Sequence, residues 1–220
     1  ALIGDGVRHI DVSGILSAHA SEYIYYKTDH HWTSLGAQHA FEAASGTLGL
    51  QSALTYDIYT VTTQFEGTLA SKSGSHGQLD SIQIYALQGT DLEYYVNYVD
   101  TQEKVCSIFR SECLEQKDKY TVFFGGNFPL LEIHNTARNL LLFKDSYANS
   151  FVQFLLPYYD NITMIDPRYY YDNVDMIMNS SGITEVLFLY SADTFLTDTA
   201  LTDVLTAGSA QEDPEAPTDR

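Results

Sequence analysis

Three apolar runs, NLLLF (139–143), NITMI (161–165) and EVLFLY (185–190), constrain the fold of this chain more than any other feature. Each has the length of a buried strand, and the stretches between them carry helical spacing. SYANSFVQFLLPYY places Phe151, Phe154 and Leu155 on one face with Tyr147 a turn before, and YDNVDMIMNSS reads as a short helix ended by Gly182. Strands alternating with helices of about ten residues mean βαβ units around a parallel sheet. YTVFF (120–124) is expected to add a strand and TFLTDTALTDVLTA a last helix. The polar GSAQEDPEAPTDR, residues 208–220, reads as a mobile tail behind a single α/β domain over 1–207.

The first half is less regular. DVSGILSAHA reads as a helix, and EYIYY as a strand that delivers the chain to Asp29. Thr33 or Ser34 caps a helix through LGAQHAFEAASGTLG, which Gly46 and Gly49 end. Residues 54–105 are rich in Tyr, Thr and alternating β-formers, as in YDIYTVTTQF, SIQIYAL and LEYYVNYV. They are expected to form a small antiparallel insertion beside the main sheet, with LASKSGSHGQLD (69–80) as a loop inside it.

Composition excludes some partners. The 220 residues, 45% of them hydrophobic, suffice for one sizeable core. Eleven basic against 29 acidic residues give a net charge of −18, which argues against nucleic acid and anionic lipid. No apolar run approaches the ~20 residues of a membrane helix. The opening ALIGDGVRHI has neither the basic start nor the apolar stretch of a signal peptide. Cys106 and Cys113, flanking SIFRSE, either close a short loop or stay as thiols.

The chemistry-bearing residues cluster in YYKTDHHWTSLGA (25–37). On a strand end, Asp29 and His31 point to one side and His30 to the other. A carboxylate two residues from a histidine can fix the ring's tautomer and stabilise the imidazolium, as an acid/base histidine requires. A nucleophile is still needed. In LLLFKDSYANSF, Ser146 follows a buried strand and precedes a helix, the position where ligands bind in open α/β sheets. A plain helix N-cap is the other reading of Ser146. His30 is expected in a hydrogen-bond network. Trp32 either packs in the core or offers a pocket rim for stacking on a sugar.

Both segments resemble the bacterial DHHW family. YKTDHHWTSLGA, GTLASKS, FFGGNFPLL, LLLFKDSYANSFVQFLLPYY, DPRYY and GITEVLFLYS match it in order, across most of residues 20–195. The family is similar to the SGNH-hydrolase superfamily and to secreted alginate O-acetylation proteins that carry an Asp-x-His motif ahead of the serine. The resemblance implies an SGNH-hydrolase-like, flavodoxin-like three-layer α/β fold with a parallel sheet. By position it implies Asp29 as orienting acid, His31 as general base and Ser146 as nucleophile. The serine stands in Lys144-Asp145-Ser146, where SGNH proteins usually have a GDS block. Superfamily oxyanion holes use a glycine N–H and an asparagine side chain, which GGNFP supplies as Gly126 and Asn127; a Gly-Gly turn with Asn127 bonded to backbone is the alternative. Asn149 is expected to pack on its helix, and Arg168 to pin a loop.

The implied activity is an O-acetyltransferase or esterase on a cell-surface or secreted polysaccharide, with no cofactor. The implied partners are that polysaccharide and a membrane acyl-transfer protein. The implied location is extracellular, membrane-anchored in the full-length protein, since family members run longer at the N-terminus with an anchor and a further strand. Two other classes compete. A metal could sit on Asp29, His30 and His31 with His76 or His134, but strand alternation splits the histidines and no HxxxH or HExxH spacing supports it. A non-catalytic carbohydrate-binding module could keep the fold and use the seventeen Tyr and eleven Phe as binding surface.

Overall fold

The computed structural model describes residues 6–50, 53–134, 138–180 and 182–207, so the 208–220 tail lies outside the described residues. The chain divides into two compact units. The first is formed by Ala1–Tyr94, Cys106–Gly126 and Ser146–Tyr158, and the second by Tyr95–Val105, Asn127–Asp145 and Tyr159–Arg220.

In the first unit, helices α1 (Ser13–Ala18) and α2 (Ser34–Ser45) precede strand β1 (Tyr56–Phe65), helix α3 (Thr68–Ser73) and strand β2 (Asp80–Leu87); α4 (Tyr147–Phe151) runs on into a 3-10 turn at Val152–Phe154. Thr33 caps α2 as expected, its Oγ1 accepting from the Gly36 N–H, and Gly46 follows the last turn. Strands β1 and β2 pair antiparallel, with irregular register between Thr60 and Thr62 and between Thr62 and Phe65. Aromatic rings fill the space between these elements. Phe154 meets the edges of Tyr56 and Tyr85 at 5.4 and 5.3 Å, and Phe41 stacks on it at 5.9 Å. Gly36 is required here, because a Cβ would lie 2.3 Å from the Ile24 carbonyl oxygen. Cys106 is exposed, Cys113 is buried, and both are free thiols.

The second unit holds strands β3 (Tyr95–Tyr98), β4 (Glu103–Val105), β5 (Leu130–His134), β6 (Asn139–Lys144), β7 (Asn161–Ile165) and β8 (Glu185–Leu189), with helices α5 (Val174–Ser180), α6 (Ala192–Thr197) and α7 (Ala200–Ala207). The strands form one sheet in the order β4-β3-β5-β7-β6-β8. The three apolar runs make its parallel part, β7-β6-β8, and β6 is buried from Leu140 to Lys144. The other three strands pair antiparallel, so the sheet is mixed rather than parallel throughout. On β5, burial alternates along the strand, as one half-covered face requires. Leu141, Phe143, Ile165, Tyr170, Val174 and Val204 form a core on which Ile177, Tyr190 and Leu201 pack. At about 25 cal/mol per Å² of apolar surface, burying such side chains is the main stabilising contribution.

Further expectations need correcting, among them LASKSGSHGQLD (69–80), which is not all loop because α3 runs through it to Ser73. The 54–105 stretch is not one insertion: β1 and β2 stand in the first unit, while β3 and β4 extend the sheet of the second. YTVFF is not a strand. Residues Lys119–Val122 form a 3-10 turn and Phe124 has φ 65, a left-handed conformation no strand admits. The last helix is broken into α6 and α7, with Asp198 extended between them. No helix among the described residues is long and apolar enough to cross a membrane.

Candidate active site

EYIYY does not form a strand either. A single bridge pairs Tyr25 with Trp32, and Tyr26 N–H donates to the His31 carbonyl at 3.2 Å, so residues 27–31 turn within a tight bend. The turn is organised by Asp29. Its Oδ1 accepts from the His31 backbone N–H at 3.0 Å and from His31 Nδ1 at 2.5 Å. Its Oδ2 accepts from the N–H and Oγ1 of Thr68, at 2.8 and 3.0 Å. An aspartate that bonds the N–H two residues on is the usual chemistry of an Asx turn. Thus Asp29 and His31 meet through a turn, and not through the strand alternation that predicted the pair.

On the other side of the ring, His31 Nε2 lies 2.7 Å from Ser146 Oγ. Ser146 opens α4, yet its side chain makes no capping bond, so the helix-cap reading of this serine does not apply. With Nδ1–H donated to Asp29, the ring carries its lone pair on Nε2, facing the serine hydroxyl. Asp29 and His31 are 2% and 5% exposed, whereas Ser146 is half-buried. Burial alone would raise the Asp29 carboxyl, but hydrogen bonds from His31 and Thr68 outweigh it and hold it well below the usual carboxylate range.

Tyr120 and Trp32 brace this arrangement. The Tyr120 ring stacks on the His31 ring at 3.8 Å and 9°, and its Oη reaches the Ser146 carbonyl and Ser150 Oγ, both at 3.1 Å. Trp32 is buried, and its indole N–H donates to the Tyr147 carbonyl at 3.0 Å and to Ser150 Oγ at 3.1 Å. It packs as scaffold and presents no face to a sugar. His30 does not point away from His31: their ring centroids are 3.9 Å apart, and His30 Nδ1 meets Thr68 Oγ1 at 2.7 Å. Since Thr68 Oγ1 gives its one proton to Asp29, it accepts from His30.

The remaining predicted residues have hydrogen-bond partners of their own. The Gly126 N–H makes a long bond to the Phe123 carbonyl at 3.4 Å, and its own carbonyl accepts from Asn149 Nδ2 on α4 at 3.4 Å. Asn127 belongs to the second unit, where its Oδ1 accepts from Lys144 Nζ at 3.3 Å. Arg168 is bidentate on Asp166, with 2.8 and 2.6 Å bonds, which pins its loop. Sequence reasoning missed Thr68, Tyr120 and Asp80. The GTLASKS match contains Thr68, while Tyr120 stood in a run read as a strand.

Two groups among the described residues bring metal-binding side chains together: Asp29, His30 and His31, and His19, Glu22 and His39. An ion at the first would have to displace the donors from whichever Asp29 oxygen it took, since each oxygen already accepts two hydrogen bonds. In the second, the histidine rings stack at 3.8 Å and 18°, so one ion cannot lie in both ring planes as imidazole coordination requires. His76 pairs instead with Glu66, and His134 with Asn161.

A family model described as DHHW protein matches residues 4–165. Among solved structures, a DHHW family protein from Eubacterium siraeum is 28% identical over 87% of this chain, with a TM-score of 0.74. The chain spans 66% of that protein's length. Bacillus cereus PatB1 with a sulfonyl adduct is 20% identical, with a TM-score of 0.70 over 90% of this chain and 70% of that one. A second PatB1 structure is 21% identical, with a TM-score of 0.64 over 83% and 67%. No curated protein sequence matches this chain.

Proposed function

The chain belongs to the DHHW protein family, and from that premise we propose that it is a serine O-acyltransferase or esterase working through an acyl-serine. The observation that carries this reading is the unbroken series Asp29 Oδ1, His31 Nδ1, His31 Nε2 and Ser146 Oγ, with contacts of 2.5 and 2.7 Å. In the first step His31 Nε2 takes the proton of Ser146 Oγ as the oxygen attacks an ester carbonyl, and the ionised Asp29 stabilises the imidazolium. The imidazolium then protonates the leaving alkoxide as the ester C–O bond breaks. In the second step His31 deprotonates an acceptor hydroxyl, from a sugar or from water, which attacks the acyl carbon. Ser146 leaves and recovers its proton from His31. The Gly126 N–H is proposed as a donor to the carbonyl oxygen in both steps, and the Asn149 bond ties the Gly126 loop to the helix that Ser146 opens.

Acetyl as the acyl group and a cell-surface or secreted polysaccharide as the substrate follow from the family resemblance, as do an anchored extracellular protein and a membrane acyl-transfer partner. The acidic surface is consistent with a neutral glycan and argues against nucleic acid. Likeness in fold to PatB1, a protein known with a sulfonyl adduct, makes a sulfonyl fluoride a fitting probe. Turnover of p-nitrophenyl acetate should be present in the wild type and lost in Ser146→Ala and His31→Ala. Mass spectrometry should place the sulfonyl label on Ser146. Equal rates in all three proteins sink the enzyme reading and leave the carbohydrate-binding module.

A further inference from the structure

Asp80 begins β2, fifty-one residues after Asp29, and is 2% exposed. A carboxylate so buried is tolerated only when its oxygens are filled by donors. Those of Asp80 take Tyr23 Oη, the Lys27 N–H at 3.1 Å, the Thr28 N–H at 2.7 Å and Thr28 Oγ1 at 2.6 Å. Three of the four come from the two residues immediately before Asp29. Thr28 then passes the restraint on. Its Oγ1 accepts from the Gly67 N–H at 3.0 Å and its carbonyl from the Ala70 N–H at 3.0 Å, which seats the start of α3. That start carries Thr68, whose N–H and Oγ1 fill Asp29 Oδ2.

We propose that Asp80 is a positioning residue for the Asp29–His31–Ser146 series, holding through Thr28 both the bend that presents Asp29 and the α3 turn that fills its second oxygen. The inference rests on the acyl-serine reading for its kinetic consequence, although its structural consequence does not. Asp80 touches none of the three residues. It acts by fixing the direction of the Asp29 carboxylate, hence the hydrogen bond to His31 Nδ1 and the aim of Nε2. The titratable groups facing His31 are Asp29 on its own bend, His30 beside it, Tyr120 beneath the ring, Tyr147 from α4, and Asp118 ahead of Tyr120. Asp80 is not among them, which separates direct electrostatics from positioning.

The test uses Asp80→Asn, Thr28→Val and the conservative Thr28→Ser, with Ser146→Ala as control. Proton NMR of the His31 Nδ1–H reads the Asp29 bond without any turnover. The resonance should lie downfield in wild type and Thr28→Ser, and broaden or move upfield in Asp80→Asn and Thr28→Val. On p-nitrophenyl acetate, kcat should fall roughly a hundredfold in Asp80→Asn, the loss a misplacement of about 1 Å brings, with KM little changed. The fall should be about tenfold in Thr28→Val and be restored in Thr28→Ser. A lowered Tm with resonance and kcat unchanged overturns the proposal and leaves Asp80 a structural residue only. If Ser146→Ala turns over like wild type, the acyl-serine reading fails while the resonance still decides on Asp80. Should Asp80→Asn not fold, the Thr28 pair carries the decision alone.

Discussion

In the first unit Asp29 accepts four hydrogen bonds, and the imidazole it holds reaches a half-buried serine. In the second, Asp166 is equally buried and equally engaged. It takes Arg168 in a bidentate pair and lies 3.7 Å from Lys144 Nζ, while the neighbouring Asp145 accepts the Ser191 N–H at 2.9 Å. Lys144, Asp145 and Asp166 are 0%, 1% and 0% exposed. Each cluster is thus built on a buried carboxylate whose oxygens are filled by donors. The difference is the last member. One series ends on a hydroxyl with access to solvent, and the other spends its charges on one another. A buried polar network announces stability or chemistry only according to what stands at its end.

Removing the last member of the first series should have the largest effect. Ser146→Ala and His31→Ala should reduce kcat by on the order of 10⁶, and Asp29→Asn by on the order of 10⁴, measured by ester turnover on folded protein. Residual turnover near wild type in Asp29→Asn would erase the distinction between the clusters. Next, Asp166→Ala should destabilise by about 3–5 kcal/mol, because it strips Arg168 of its bidentate carboxylate and leaves the fully buried Lys144 with one counter-charge fewer, with the loss read from chemical denaturation. Turnover per folded molecule should survive it.

A smaller effect is expected at Gly67, where a Cβ would lie 2.3 Å from Asp29 Cβ. Gly67→Ala should cost about 1–3 kcal/mol of stability by overpacking and lower kcat as well. The smallest effects separate the clusters by pH. Burial pushes the Lys144 ammonium down to about 8, despite Asp166. Between about 8 and the unfolded value near 10.4, the unfolded chain holds a proton that the folded chain has released, so stability rises with pH. Asp29, held low in the folded state, contributes stability above the unfolded value of about 3.9 and loses it as the medium becomes strongly acid. Tm profiles should lose the alkaline rise in Lys144→Met and part of the acid limb in Asp29→Asn.

How much of this was readable from the chain depends on sequence distance. The apolar runs that became β6 and β7 declared themselves because strands buried on both faces admit few polar residues, whereas β8, an edge strand with Val186 and Phe188 exposed, was legible from its apolar run alone. Helix α2 was legible from Thr33 and Gly46 at its ends. YTVFF and EYIYY were misread because aromatic, β-branched residues pack as well in a turn as in a strand, and tertiary contacts decided. The pairing of β3 and β4 with β5 depends on partners far along the chain, which no local pattern encodes. At the site, Asp29 and His31 were visible as residue types, although the turn that joins them was not. Thr68, Asp80 and Tyr120 reach the site across 39, 52 and 26 residues, and nothing in their own neighbourhoods marks them.

Those distances also set an order of assembly. The Asp29–His31 bond spans two residues, and Thr68 and Asp80 reach their partners across 39 and 52 residues. The serine is 115 residues from its histidine. Loop closure over that span costs conformational entropy that only completed packing offsets. During synthesis, the base and its carboxylate can thus be in place while the ribosome is still making the segment that holds the nucleophile. A nascent chain stalled before residue 146 should carry the Asp29–His31 bend without the bonds from Trp32 and Tyr120 to α4, and reactivity toward a sulfonyl fluoride should switch on only as α4 emerges and docks.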